Sequence, residues 1–287
     1  MVKEIGYYNG VFGAPDQLSI PLEDRGYLFG EGVYEAVMAY NNIFWGLEDH
    51  LDRLERSLRL MEMSMPMSRE ELKSLLLEGI SKVEGPVHMV YFQITRGGGR
   101  RTHSYLQKKD DTTLMMTITS TADDQGFLAK GFTAVTVPDE RWFHCDIKTL
   151  NLIPNAWAAT QAERAGVQAA IFHRDGLVTE GSSYNIFIVK AGIVYTAPQC
   201  NLILPGITRN HLVKMLPEHN IPVREEFFTL EQMMQADEVF LTSTMYHPGP
   251  IVMINGRPIG NGKVGALSVQ IHKIYEDEIA AICGPRA

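Results

Sequence analysis

The 287-residue chain carries 26 lysines and arginines against 34 aspartates and glutamates, for a formal charge of -8, with 45% hydrophobic and 21% charged residues. This is globular composition with material for two domains of ordinary size, and its acidic balance argues against non-specific nucleic-acid or anionic-membrane binding while leaving room for a local basic pocket. Cys145, Cys200 and Cys283 are odd in number and widely spaced. They suit a reducing compartment rather than a disulfide framework, with no paired cysteines for a metal. The N-terminus lacks the apolar run of a signal peptide and no stretch is long enough for a membrane helix, so the expectation is a soluble, cytoplasmic protein.

In chain order, residues 5–20 read as a hairpin about Asn9-Gly10. Three glycines between Gly26 and Gly32 suggest a close approach to the strand Val33–Tyr40. Leu47, Leu51, Leu54, Leu58 and Met61 share one face of a helix over 47–63, with His50 and Arg53 beside that face. Ser68 and Glu71 form a capping-box pattern for a helix reaching Val83. Strands follow at Val87–Arg96 and Leu114–Ser120, separated by a glycine-rich basic loop that carries Arg100, Arg101 and His103. The polar run 122–126 is the linker candidate, dividing residues 1–121 from 127–287. Beyond it come the strand Phe132–Val137, an alanine-rich helix near Asn155–Ala165, and strands at 169–173, 177–179, 186–189 and 193–196. Asp175-Gly176 and Ala191-Gly192 mark turns between them. Gly206-Ile207-Thr208-Arg209 opens a helix, Thr229 and Gln232 cap a short one, and Glu238–Leu241 is a strand ending in Thr242-Ser243-Thr244. Asn255-Gly256 is a further turn, and 264–282 forms the closing helix. The pattern is mixed α and β in two domains.

Lys148 lies between Ile147 and Leu150, just beyond Trp142-Phe143. An apolar setting strips hydration from an ammonium and frees the amine as a nucleophile, as in a Schiff-base lysine. On that stretch alone, a surface lysine whose stem covers apolar neighbours is the simpler account. Gly206-Ile207-Thr208 offers a helix N-terminus to an anion, Thr242-Ser243-Thr244 a hydroxyl cluster and Arg53 a cation. Glu180, after an apolar strand, can face a heterocycle nitrogen. Arg101 and His103, two apart in extended chain, point the same way and can meet one carboxylate, with Tyr34 adding a hydrogen bond. Each feature also has an ordinary reading: a capped helix, a polar turn, a charge on a helix face, a solvated loop glutamate and a basic surface loop. One chemistry uses them together. Pyridoxal phosphate needs a lysine, a phosphate site and a carboxylate at its ring nitrogen, and an amino-acid substrate needs a cationic clamp.

These residues stand in motifs that resemble the fold-type IV, or class IV, pyridoxal-phosphate aminotransferases. The motifs are Arg25-Gly-Tyr-Leu-Phe-Gly-Glu-Gly-Val-Tyr34-Glu, Tyr91-Phe-Gln-Ile-Thr-Arg96-Gly and Arg101-Thr-His103. They continue with Cys145-Asp-Ile-Lys148-Thr-Leu-Asn, Val178-Thr-Glu180-Gly-Ser-Ser, Gly206-Ile-Thr-Arg209 and Thr242-Ser-Thr244. The resemblance implies an α+β fold with a small N-terminal α/β domain and a larger cofactor-binding domain with a strand-rich, barrel-like core. It implies that Lys148 forms the Schiff base with pyridoxal 5'-phosphate and carries the substrate proton. Glu180 would pair with the ring nitrogen and Leu204 lie against the ring, while Arg53, Ile207, Thr208 and Thr244 hold the phosphate. Ser183, Gly206 and Ser243 belong to the same cofactor set. Tyr34, Arg101 and His103 would grip the substrate carboxylate, the latter two reaching in from the partner of a homodimer. The Arg-x-His pair is similar to that of D-amino acid transaminases. It implies ping-pong exchange between a D-amino acid such as D-alanine and 2-oxoglutarate. Same-fold alternatives are a branched-chain L-amino acid or (R)-amine transaminase and an aminodeoxychorismate lyase; a different-class alternative is a non-catalytic binding protein. Three places depart from the pattern: Tyr184, Met245-Tyr246-His247 and Pro154-Asn155. The first two are expected to reshape the substrate side-chain pocket.

Overall fold

The computed structural model describes residues 2–106, 111–122 and 126–285. The chain divides into two compact units, Met1–Asp123 with Ile147–Asn151 and Ile279–Ala287, and Asp124–Asp146 with Leu152–Glu278. Of the linker expected at 122–126, residues 123–125 lie outside the described residues.

The first unit is built on a six-stranded antiparallel sheet. Its order is β2 (Val11–Gly13), β1 (Glu4–Tyr8), β6 (Thr113–Ser120), β5 (Val87–Thr95), β3 (Gly32–Tyr40) and β4 (Ile43–Phe44). Asn9-Gly10 joins β1 to β2 and Asn41-Asn42 joins β3 to β4, both with positive φ at each position. Such turns match the right-handed twist of the strands they connect. The stretch read as a glycine-rich approach forms a short helix, α1 (Arg25–Phe29), closed by Gly30 at φ 68°. The close packing at Gly26 is against β5 rather than the strand that follows: a Cβ there would collide with Thr95 Cγ2. Helix α2 (Leu47–Leu60) buries Leu51, Leu54 and Leu58, with His50, Arg53 and Ser57 on the same side. Helix α3 (Arg69–Ser81) begins at a complete capping box. Ser68 N–H donates to Glu71 Oε2 at 2.8 Å, and Glu71 N–H donates to Ser68 Oγ at 3.3 Å. Leu51, Leu54, Leu72 and Leu76 close over Val33, Val37, Val90, Phe92 and Ile118 in one core, each buried aliphatic chain worth roughly 1.5–3 kcal/mol.

The second unit opens with α4 (Phe127–Lys130), β7 (Phe132–Pro138) and α5 (Ile153–Arg164). Strands β8 (Ala169–Arg174), β9 (Leu177–Gly181), β10 (Asn185–Lys190) and β11 (Ile193–Thr196) follow. Then come α6 (Ile207–Glu218), β12 (Val223–Glu225), α7 (Leu230–Met234), β13 (Glu238–Thr242), β14 (Gly249–Ile254), β15 (Arg257–Pro258) and α8 (Ala266–Cys283), whose residues from Ile279 on count with the first unit. The nine strands form one sheet in the order β12-β11-β10-β13-β14-β7-β8-β9, with β15 on β14. The end strand β9 also lies against β10, so the sheet curls into a half-barrel. Its interior holds Ile171, Val178, Ile186, Ile188, Val239, Leu241 and Ile251. Ala158 and Ala162 of α5 let that helix settle on Ala170 and Phe172. Mixed helix and strand with a barrel-like second sheet is the architecture expected from the sequence. No helix among the described residues is long and apolar enough to cross a membrane.

The capping box gives a direct check on the first unit. Ser68→Ala should cost about 1 kcal/mol, whereas Ser68→Gly should cost only a few tenths. The urea midpoint would report both, and equal losses would show that the hydroxyl is not the cap.

Candidate active site

Lys148 is fixed by backbone pairing inside the first unit. β4 covers the edge of β3 only at Ala39 and Tyr40. Along the other end of that edge, Tyr34 N–H donates to Lys148 O at 3.0 Å and Leu150 N–H donates to Gly32 O at 3.0 Å. Val33 and Thr149 form an antiparallel bridge. Ile147 and Thr149 are buried beside the half-buried Lys148, as the apolar flanks imply. The Lys148 Nζ sits 4.2 Å from the centroid of the Tyr34 ring, and the Tyr34 and Tyr91 rings are 5.4 Å apart. The ring face stabilises the ammonium electrostatically and holds it on the Tyr34 side.

Behind this pair lies a buried charge cluster. Arg53 donates from Nε to Glu35 Oε1 at 2.8 Å and from Nη2 to Glu35 Oε2 at 2.7 Å. His50 Nδ1 is 2.7 Å from Glu35 Oε2. Burial alone would raise the Glu35 carboxyl, but the charge and hydrogen bonds of Arg53, with those of His50, hold it at about 2. Burial lowers His50, and the Glu35 carboxylate only partly opposes that shift. A neutral His50 facing an ionised carboxylate must carry its proton on Nδ1. Arg53, expected at a phosphate, therefore commits one edge of its guanidinium to Glu35.

Arg101 and His103 are exposed and share the Phe29 ring, at 5.4 Å from the guanidinium carbon and 5.9 Å between ring centroids. The first unit thus brings Lys148 to Tyr34, and Arg101 to His103, as two separate groups.

Glu180 is the last residue but one of β9 in the second unit and is 4% exposed. Its Oε1 accepts from Arg141 Nη1 at 2.5 Å, and its Oε2 accepts from Asn185 Nδ2 at 3.1 Å and Leu204 N–H at 2.9 Å. Burial pushes the Glu180 carboxyl up, against the Arg141 cation and the Leu204 N–H. Arg141 is itself bound through Nε and Nη2 to both oxygens of Asp139, each at 2.8 Å. Burial works against the Arg141 charge, but Asp139 and Glu180 reverse the effect and keep it protonated. Asn185 also donates to Leu204 O at 3.0 Å. A Cβ on Gly206 would meet Asn185 Oδ1 at 2.1 Å, so only glycine fits there. Gly206 is the N-cap of α6 and makes no side-chain cap. Thr208 Oγ1 donates to Ser243 O at 3.0 Å, and Ser243 Oγ accepts the N–H groups of Met245 and Tyr246. Glu180, Leu204, Gly206, Ile207, Thr208 and Ser243 therefore form one continuous strip. Thr244 is half-buried at its end and Ser183 is exposed.

Arg141, Asp139 and Asn185 escaped the sequence reading. They stand in no motif; the one available signal was a charged pair lying just before the apolar Trp142-Phe143. Tyr184 is buried in the half-barrel core. Its hydroxyl accepts from Ala170 N–H at 2.7 Å, and its ring fills the space over Gly181 within the half-barrel core.

The profile of the class IV amino-transferases matches residues 32–254. A D-alanine aminotransferase of Listeria monocytogenes (strain 10403S) is 38% identical over 273 residues, covering 94% of each chain. One of Staphylococcus aureus (strain MSSA476) is 36% identical, covering 95% of this chain and 97% of its own. Among solved structures, the T.th. branched-chain amino acid aminotransferase with pyridoxamine 5'-phosphate superposes with a TM-score of 0.88 at 23% identity, over 99% of this chain and 96% of the other. The Escherichia coli branched-chain amino acid aminotransferase gives 0.88 at 22% identity over the same shares. The likeness to these two is one of fold. The chain belongs to the class IV aminotransferases, a family of pyridoxal-phosphate enzymes. Its donor set fits that cofactor, with an uncapped helix N-terminus suited to a phosphate, a buried carboxylate suited to a ring nitrogen, and a buried Thr242 Oγ1 with no partner among the described residues.

Two measurements test these electrostatics. Arg141→Met removes the charge that most opposes the burial of Glu180 and leaves only its hydrogen bonds from Leu204 and Asn185, so the Glu180 carboxyl should titrate higher still in the cofactor-free protein, as followed by carbon NMR. An unchanged titration would show that Arg141 does not set its charge. Glu35, depressed from an ordinary 4.5 to about 2, contributes stability that is present above about pH 4.5 and lost as pH falls toward 2. The stability difference between wild type and Glu35→Gln should shrink across that window; a constant difference would refute the coupling.

Proposed function

We propose that this class IV aminotransferase exchanges the amino group between a D-amino acid, D-alanine above all, and a 2-oxo acid, with 2-oxoglutarate giving D-glutamate. The observation that carries the cofactor reading is the strip in which Glu180 and the open N-terminus of α6 are tied together through Asn185. The stereochemical reading is supported by the similarity to D-alanine aminotransferases across almost the whole chain and by the exposed Arg101–His103 pair on Phe29.

When bound, pyridoxal 5'-phosphate supplies an aldehyde for the amine and a ring that accepts the electrons of the substrate Cα–H bond. The residues of the chain do the rest. Lys148 anchors the cofactor through Nζ and, once released, uses that amine to move the substrate Cα proton. Glu180 presents its carboxylate to the ring nitrogen and holds a proton there, with Arg141 and Asn185 fixing its orientation. Ile207 and Thr208, with Gly206, Ser243 and Thr244, would hold the phosphate at the N-terminus of α6, and Arg53 would add a cation to it. Leu204 and Ser183 would line the cofactor's place. Tyr34, Arg101 and His103 bind the substrate carboxylate. Arg101 and His103 serve the site of a second copy, which makes the working form a homodimer.

Lys148→Ala should lower turnover roughly a thousandfold or more, within the range set by loss of a positioned base, and abolish the visible absorption of the lysine-bound cofactor. A half-reaction panel of D-alanine, L-leucine and a simple primary amine, followed spectroscopically, should show reaction with D-alanine. Equal rates with L-leucine would sink the stereochemical assignment, and pyruvate release from aminodeoxychorismate would indicate a lyase.

A further inference from the structure

Arg25 opens α1 and is 1% exposed, among the largest fully buried side chains. The chemistry assigned above gives it no role, yet all five of its guanidinium hydrogens have acceptors. Nε donates to Glu31 Oε2 at 2.7 Å, and Nη2 donates to Glu31 Oε1 at 2.6 Å and His103 O at 3.4 Å. Nη1 donates to Thr102 O at 2.8 Å and Arg100 O at 3.3 Å. One planar cation therefore holds three of the four carbonyls in the segment that carries Arg101 and His103. Its guanidinium carbon is 4.5 Å from the Phe29 centroid, the ring those two side chains share.

The backbone on either side is fixed as well. Arg25 N–H donates to Gly97 O at 2.9 Å, and Gly99 N–H donates to Glu23 O at 3.0 Å. Asp24 caps α1 through Gly26 N–H at 2.7 Å and accepts from the hydroxyls of Thr95 and Thr113. Glu31 is in turn held by Arg96 Nε at 2.9 Å, whose other nitrogens donate to Met61 O and Glu62 O. A glycine-rich loop with an exposed basic pair would otherwise sample many conformations, each a cost in ordering when a ligand binds.

We propose that Arg25 is the positioning residue of the carboxylate grip: by pinning the carbonyls of residues 100, 102 and 103 above Phe29, it sets the spacing and direction of Arg101 and His103. This rests on the reading that those two bind the substrate carboxylate. Lysine cannot substitute, because it is a single ammonium with three donors and no planar fork. The ion pair with Glu31 offsets the buried charge, leaving the two N–H groups of Nη1 and one of Nη2 for the loop.

The test uses the cofactor-loaded enzyme with Arg25→Lys, Phe29→Leu and Arg101→Met, and two probes, D-alanine and ethylamine, which lacks the carboxylate. Arg25→Lys and Phe29→Leu should each weaken half-reaction affinity for D-alanine tenfold or more and leave that for ethylamine within twofold. In the cofactor-free protein, amide hydrogen exchange over residues 99–105 should speed up at least tenfold in Arg25→Lys, with exchange over α2 unchanged. Phe29→Leu keeps the test open should Arg25→Lys fold poorly. Equal weakening for both probes, or faster loop exchange without selective loss of D-alanine, overturns the proposal. Arg101→Met reports on the underlying reading: if it leaves D-alanine affinity intact, the grip itself is misassigned and the role of Arg25 goes with it.

Discussion

The pairing of residues 148–150 with the uncovered edge of β3 is the constraint on which the first unit's chemistry depends. It joins segments far apart in the chain through two backbone hydrogen bonds, Tyr34 N–H to Lys148 O and Leu150 N–H to Gly32 O. Gly32 makes this contact possible, because a Cβ there would lie 2.6 Å from Leu150 Cδ1 and 2.9 Å from Ile94 O. Since Tyr34 is both the backbone partner of Lys148 and the ring beneath its ammonium, the amine is placed by the same residue that anchors its main chain. A short β4 is what leaves that edge open.

Both units bury charge, and the way each cluster cancels it decides which carboxylate is chemically available. Glu35 has the edge of Arg53 and the ring of His50 for itself and is depressed to about 2. Asp139 likewise is held at about 2, since burial is outweighed by Arg141, Arg174 and Thr179. Glu180 shares Arg141 with Asp139 and receives only one of its nitrogens, so burial prevails and its carboxyl rises. Breaking any of these pairs leaves an uncompensated buried charge, a larger penalty than the pair's own net worth. The carboxylate left closest to taking up a proton is the one that faces the strip leading to α6.

What the sequence made legible was local chemistry. Asn9-Gly10, Asp175-Gly176, Ala191-Gly192 and Asn255-Gly256 all appear as turns with positive φ at both positions, because the residues that tolerate that backbone are few. Asn41-Asn42 makes the same turn without a glycine and went unread. The capping boxes at Ser68 and Thr229 were legible for the same reason. Helix α1 was not, since five residues carry no periodicity and its start depends on Asp24 accepting from Gly26 N–H. β14 also went unread: its run Ile251–Ile254 carries strand propensity, but it starts at Gly249-Pro250 and follows a strand end directly, and its neighbours β13 and β7 define it. At the site, chemically distinctive residues such as Lys148 and Glu180 drew notice, whereas Arg141, Asn185 and Arg25 act through partners brought close only by the fold.

The positions that depart from the family's pattern obey the same logic of local compensation. Pro154 falls in the first turn of α5, where its fixed φ and missing N–H cost nothing, and Asn155 Nδ2 donates to Ser182 O at 2.8 Å. Tyr184 is turned into the half-barrel core, and its neighbour Gly181 has no side chain to collide with the ring. Tyr246 packs its ring 5.1 Å from Phe132 and 5.5 Å from Phe127, while His247 Nδ1 sits 2.8 Å from Glu276 Oε1. Met245 alone among these side chains is half exposed, at 50%. Most of the departures are thus absorbed by the packing of the second unit, and the strip from Glu180 to Thr208 keeps its hydrogen bonds with these replacements in place.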